Sequence, residues 1–534
     1  MATETPGQPA AVTPFPPVFW SANVTELFER AAYYSMASFV VIYLGQLGFG
    51  NYWPSFLSSS VLWFLVFFLP ILSGTIADQI GFRRALLIAF VLLAAGYFFM
   101  GYPVWLGGSA LSPQIHDEVT VGARDAVMIV AAVLLIGVGG SFIKPCIAGT
   151  VQKTAGVRAT LGFGIFYMVI NIGSLFGRGA AYVVRNGAGP FTIAACVAVL
   201  AVAAAVVVTV VRNTTKAERT RKDIWLATAG FTATVVVAAL AVAWLFRRDA
   251  AAQAGVGAAS LSYIFAVSAL ASVTAFVVVF LFYREPAAEP GPADAAPAKP
   301  KRSVGRILLD MVLVLRSGRF SLYLVVMSGF YFIYNQVYNV LPLYTKRVVE
   351  ANPAMDLYTA ANPFVIVCFQ LILTSAFGKL RPIRSMVIGT VVISVAMLIN
   401  VMPIYSAGGP QAIRANLLPL GSIFIILTVG LVALGELFTS PRMYEYIGSL
   451  APKGQEGLFL GYANLPLAIG ALISGFAGAY IFNEIMAKGA TTRPDGLLEL
   501  VPANNVTGWL ILTAIGLVSA GSLWVFNRWL ERQK

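Results

Sequence analysis

Charge is scarce in this chain. Only 11% of its 534 residues are Asp, Glu, Lys or Arg, while 58% are apolar, and the mean hydropathy is +0.80. That balance excludes a water-soluble fold and implies a polytopic membrane protein. Cysteine and histidine are scarcer still. Cys146, Cys196 and Cys368 lie far apart inside apolar runs; they form neither a disulfide framework nor a metal-ligand spacing, and read as small buried hydrophobes. His116, between Ile115 and the acids Asp117 and Glu118, reads as a solvated loop residue rather than a proton relay. There is no nucleophile–base pair, metal cluster or phosphate loop, so an enzyme is not expected. Residues 1–17 lack a basic n-region, which predicts no cleaved signal peptide.

Apolar runs long enough to span the hydrocarbon core fall at about 20–47, 53–77, 84–106, 125–150, 160–184, 189–211, 224–246, 259–283, 320–345, 358–378, 384–403, 417–448, 456–483 and 506–530, about fourteen in all. With a cytoplasmic N-terminus, about 23 of the Lys and Arg residues fall on the inside and about 10 outside. Both termini are therefore expected in the cytoplasm, and the net charge of +13 follows from topology, with no nucleic-acid partner needed. The Pro-, Ala-, Glu- and Lys-rich stretch 285–303 reads as a cytoplasmic linker. Residues 304–318 then read as an amphipathic helix on the inner membrane surface.

Against this apolar background the first span carries Glu26, Glu29 and Arg30, followed by Tyr33 and Tyr34. Residues three and four apart share a helix face, so these groups form one stripe. A charge at the bilayer centre costs about 2.5 to 3.5 kcal/mol on insertion scales, and three together imply a buried ionic site. The competing reading is that the stripe snorkels at the membrane surface. Lys144, mid-span beside Pro145, is a second intramembrane cation that needs an anion, and Glu26 or Glu29 is the expected one. An acid stripped of its partner in such a place takes up a proton, so ion-pair opening and protonation become one event. Arg178, near the outer end of its span, either draws anions into the molecule or snorkels to the outer headgroups, with snorkelling expected.

The loop after the second span reads Gly74-x-x-x-Asp78-x-x-Gly81-x-Arg83-Arg84. Its glycines allow close helix approach, and its charges are expected to form a breakable ion network that locks one conformation. This resembles the loop signature of the major facilitator superfamily. Glu26-Leu-Phe-Glu29-Arg30 with Tyr33-Tyr34, Gly137-Val-Gly139 through Lys144-Pro145, and Phe166-Tyr167 through Asn171-Ile-Gly173-Ser174-Leu175 resemble signatures of the proton-dependent oligopeptide transporter (POT/PTR) family. So do Asn362-Pro363, Gly435-Glu436-Leu437 through Ser440-Pro441, and Leu450-Ala451-Pro452. They occur in family order along nearly the whole chain.

The resemblance implies an all-α polytopic membrane protein with the major facilitator superfamily fold: two six-helix bundles plus two additional transmembrane helices of the bacterial type. The expected organisation is an N-terminal tail at 1–17, a six-helix bundle at 18–212, the extra helices at 222–284, the linker at 285–303, the surface helix at 304–318 and a second bundle at 319–531. It implies a proton-coupled symporter that imports di- and tripeptides or peptide-like solutes by alternating access. A carrier of a non-peptide metabolite or drug, or a non-transporting sensor or scaffold, are the alternatives. Proton coupling falls to Glu26, Glu29, Arg30, Lys144 and Glu436. Substrate binding falls to Arg30, Tyr33, Tyr34, Lys144, Asn171, Tyr331, Asn335, Asn362, Glu436 and Ser440, and conformational gating to Gly74, Asp78, Arg83 and Arg84. The implied partners are small peptides, protons and membrane lipid, with no cofactor or metal, for a monomer in the bacterial inner membrane. Ala37, Phe67, Asn335 and Ala463 depart from the family pattern, which predicts a wider or more apolar pocket.

Overall fold

The computed structural model describes residues 15–155, 158–186, 261–286, 318–377, 379–414, 418–450 and 462–532, with a few isolated positions between 305 and 316. Among these residues the protein is helical apart from two short antiparallel ribbons, Ile413–Arg414 with Leu418–Pro419 and Thr491–Thr492 with Leu498–Glu499. The predicted spans at 189–211 and 224–246, Cys196, and most of the linker and surface helix lie outside the described residues.

The first half contains α1 (Pro17–Ala37), α2 (Trp53–Phe68), α3 (Pro70–Ile80), α4 (Phe82–Trp105), α5 (Ala123–Ala155), α6 (Ala159–Arg185) and α7 (Tyr263–Phe282). α2 and α3 form one crossing bent by 41° at Pro70, because proline supplies no N–H and its ring clashes with the preceding turn. The second half contains α8 (Gly318–Val349), α9 (Ala361–Phe377), α10 (Pro382–Leu398), α11 (Leu420–Leu450), α12 (Tyr462–Met486) and α13 (Pro502–Glu531). Counting α2 with α3, six helical segments of each half are among the described residues.

The two halves repeat one packing scheme. α4 packs on α5 as α10 packs on α11, and α1 packs on α6 as α8 packs on α12. α7 packs on α1 and α4, and α13 packs on α8 and α10. The repeat extends to single hydrogen bonds: Ser268 of α7 donates to the Ala32 carbonyl of α1 at 2.8 Å, and Ser519 of α13 donates to the Val326 carbonyl of α8 at 3.1 Å. The last span before the linker thus holds the sixth place of the first half. The sequence expectation gave that place to 189–211, which lies outside the described residues, and made 259–283 an extra helix. Small residues and serines, which let helix backbones approach in lipid, line the contact of α7 with α1.

Hydrogen bonds between the halves gather at one end. Ser38 meets Thr359 at 2.7 Å, Ser59 and Asn339 pair at 2.8 Å, Arg185 reaches Asp356 at 3.4 Å, and Arg347 binds Asp117 at 2.8 Å and Asn51 at 2.9 Å. Tyr52 donates to Glu484 at 2.5 Å. The seam is closed at this end.

Candidate functional site

α1 presents the acid–base stripe inward. Glu26 has no exposed surface and Glu29 is only 2% exposed, so the snorkelling alternative does not hold. Arg30 holds both: its guanidinium is hydrogen-bonded to Glu29, and its Nε lies 3.1 Å from Glu26. The Nε–H is directed at Glu29, so Glu26 is an ion-pair partner whose oxygens accept no hydrogen bond. The Arg30 guanidinium also lies 5.5 Å from the Tyr33 ring centroid, and Tyr33 meets Tyr34 edge-on at 5.2 Å.

Close packing of α6 fixes this stripe. A methyl group at Gly173 would lie 2.6 Å from the Leu27 carbonyl oxygen and 2.9 Å from Arg30 Cβ. Only glycine lets α6 reach the backbone of α1 at the charged turn. Asn171, two residues earlier, donates to the Tyr167 carbonyl at 2.9 Å on its own helix, so its side chain is engaged locally.

Lys144 on α5 stands within electrostatic reach of Glu26, Glu29, Arg30 and Glu436. Among the described residues it forms no ion pair; its ammonium lies 5.1 Å from the centroid of Phe67. The expected contact pair with a first-helix acid is therefore replaced by a cation over an aromatic face. Pro145 next to it packs against Gly74, where an added methyl would come within 3.2 Å of Pro145 Cβ.

Across from this cluster, Glu436 on α11 accepts a hydrogen bond from Asn362 of α9 at 3.1 Å, with Tyr334 of α8 beside it. The Tyr331 hydroxyl donates to Met443 Sδ at 3.4 Å. Tyr34, Lys144, Tyr167, Tyr334, Glu436 and Ser440 are partly exposed within their helices, as is Asn362 at the start of α9. They line an open recess between the halves, basic on the first side and acidic on the second. Arg178 lies over the Tyr34 ring, 4.4 Å from its centroid.

Three expectations need correction. Asn335 is fully buried, with neither amide atom hydrogen-bonded, and does not face the recess. Arg178 does not snorkel: it has no exposed surface and stacks on Tyr34. Among the described residues Arg83 and Arg84 form no ion pair with Asp78. Arg84 is exposed, and Arg83 donates to the Phe280 carbonyl at the end of α7, 2.8 Å away. The anchor at this loop is Glu285, which accepts from the backbone N–H groups of Phe82 and Arg83 at 2.8 and 3.0 Å and so caps α4 from 200 residues away. His116 is exposed in its loop, and Cys146 is buried while Cys368 is only partly so.

Sequence reasoning missed Tyr334 as a neighbour of Glu436, and Trp63, whose ring lies 4.7 Å from Tyr338 of the other half and 5.9 Å from Tyr33. An aromatic in a wholly apolar run carries no sequence signal that it bridges two halves.

Two pseudo-equivalent six-helix halves around a polar, charged recess define a carrier of the major facilitator type. The particular family follows from comparison. A sequence model of the POT family (PTR2) matches residues 83–493, and the chain belongs to that family. It is 25% identical to dipeptide and tripeptide permease B of Photorhabdus asymbiotica, over 96% of each chain. It is also 25% identical to dipeptide and tripeptide permease A of Escherichia coli, over 97% of this chain and 93% of that one. A POT family transporter in complex with a thioalcohol-conjugated peptide shares its fold with a TM-score of 0.61, at 18% identity and covering 96% of both chains. Peptide transporter POT in complex with sulfate gives a TM-score of 0.57 at 20% identity, covering 97% of this chain and 95% of that one.

Proposed function

We propose that this multi-pass protein is a proton-coupled symporter importing di- and tripeptides or peptide-like solutes by alternating access, with both termini in the cytoplasm of a bacterial cell. The observation that carries the reading is the recess itself. Arg30 and Lys144 lie on one side, and Glu436 with Asn362 and Tyr334 on the other, a polarity that matches a zwitterion whose desolvated ends each need an opposite charge. The peptide carboxylate binds at Arg30 and Lys144, and its amino group at Glu436.

Coupling resides in the sharing of Arg30. Glu26 and Glu29 both depend on it. A substrate carboxylate that draws Arg30 away leaves a buried acid without its cation, and such an acid takes up a proton. Asp78, Arg83, Arg84 and Gly74 act at the inner gate in this reading, with Glu285 as their anchor. Its partners are the peptide, protons and lipid, and no cofactor is required.

The permease names of the relatives support a peptide substrate. A non-peptide organic solute is the second reading, favoured by the polar groups the recess lacks: Asn335 is turned into the protein, and Ala37 and Ala463 are small and buried. Uptake of labelled dialanine into proteoliposomes tests both. Accumulation driven by an inward proton gradient is expected. Absence of uptake by folded protein contradicts the peptide reading.

A further inference from the structure

Arg178 carries a guanidinium charge deep in the protein, and among the described residues it has no counter-ion. Its Nε–H donates to Thr359 Oγ1 at 3.0 Å, one amino group to the carbonyl and hydroxyl of Ser174, and the other to the Tyr338 hydroxyl at 3.3 Å. The Tyr34 ring centroid lies 4.4 Å away. Every one of these partners is neutral, and among the described residues no carboxylate pairs with it. A buried, unpaired cation is expensive to keep, and such groups mark functional sites when they lie within a membrane.

Its partners divide between the halves. Ser174 and Tyr34 belong to the first and move with Arg178, whereas Thr359 and Tyr338 belong to the second. Nearby at this end Arg185 pairs with Asp356, Lys346 donates to the Ala351 carbonyl, and Glu350 accepts from Tyr358 and Ser422. When the seam opens, Arg178 keeps its own-half contacts, loses both hydroxyls of the other half, and points two freed donors into the mouth of the recess.

We propose that Arg178 is an anion subsite of the outward-open carrier, taking a second carboxylate of the substrate such as the acidic side chain of a peptide. Thr359 and Tyr338 replace that carboxylate when the seam closes. The inference rests on the peptide-symport reading above and adds to it a preference for acidic substrates.

The test is competition against labelled dialanine uptake by alanyl-glutamate and by alanyl-glutamine, which differ in charge at nearly equal size. A charge-assisted pair predicts that the wild type favours alanyl-glutamate by about tenfold, that Arg178→Gln reduces the preference to within about twofold, and that Arg178→Lys retains most of it. The wild-type comparison decides even where a variant fails to fold: dialanine uptake without preference for alanyl-glutamate overturns the inference alone. A preference that survives in Arg178→Gln overturns it as well. No dialanine uptake at all overturns the peptide reading and this inference with it.

Discussion

Arg30 holds two carboxylates with one guanidinium, and that arrangement depends on a residue with no side chain. Gly173 lets α6 lie against Leu27 and Arg30; any Cβ there pushes the helices apart at the charged turn. Gly179, further along the same helix, faces open space and serves as the control. Gly173→Ala is expected to cost about 1 to 3 kcal/mol through overpacking and to slow uptake, while Gly179→Ala leaves both unchanged. Thermal unfolding in detergent and initial uptake rates measure this, and equal behaviour of the two variants counts against the packing account. The charged stripe was legible in the sequence because charge in an apolar run is conspicuous, and Asn362 with Glu436 was legible through the family signature. Arg178 was not: an arginine near a span's end reads as a headgroup contact until the far half closes over it.

At the scale of elements, the decisive helix is α7. Fourteen apolar runs were readable, but nothing in hydropathy distinguishes the run that completes a bundle from one inserted beside it. The distinction lies in which serines and small residues face which neighbour. Ser35 of α1 and Ser268 of α7 approach to 2.6 Å between hydroxyl oxygens, so the double variant Ser35→Cys with Ser268→Cys is expected to cross-link under mild oxidation in a background without Cys146, Cys196 and Cys368. Failure to cross-link in protein that still transports would remove α7 from the sixth place. With α7 there, the linker after Glu285 joins the two six-helix halves directly, and the cap on α4 ties that linker to the loop of Gly81 and Arg83. The sequence read this loop as an Asp78–arginine network because the true partner lies 200 residues away.

For the whole molecule, the seam is closed where Ser38 meets Thr359 and Arg347 meets Asp117. The recess between Lys144 and Glu436 is therefore shut from that side, the outer one under the positive-inside assignment. In the proposed cycle, a carrier in this form resets after delivering its load, and a proton taken up by the first-helix acids makes the loaded cycle directional. One charge moved through 100 mV is worth about 2.3 kcal/mol, or roughly fiftyfold accumulation. The central claim is that Glu29 couples this driving force to substrate without being needed for substrate binding itself. The measurement is a paired assay on Glu29→Gln in proteoliposomes: accumulation of labelled dialanine under an inward proton gradient, and exchange of labelled for unlabelled dialanine with no gradient. The account predicts that the variant keeps exchange and loses accumulation, whereas a variant that accumulates dialanine as the wild type does would contradict it.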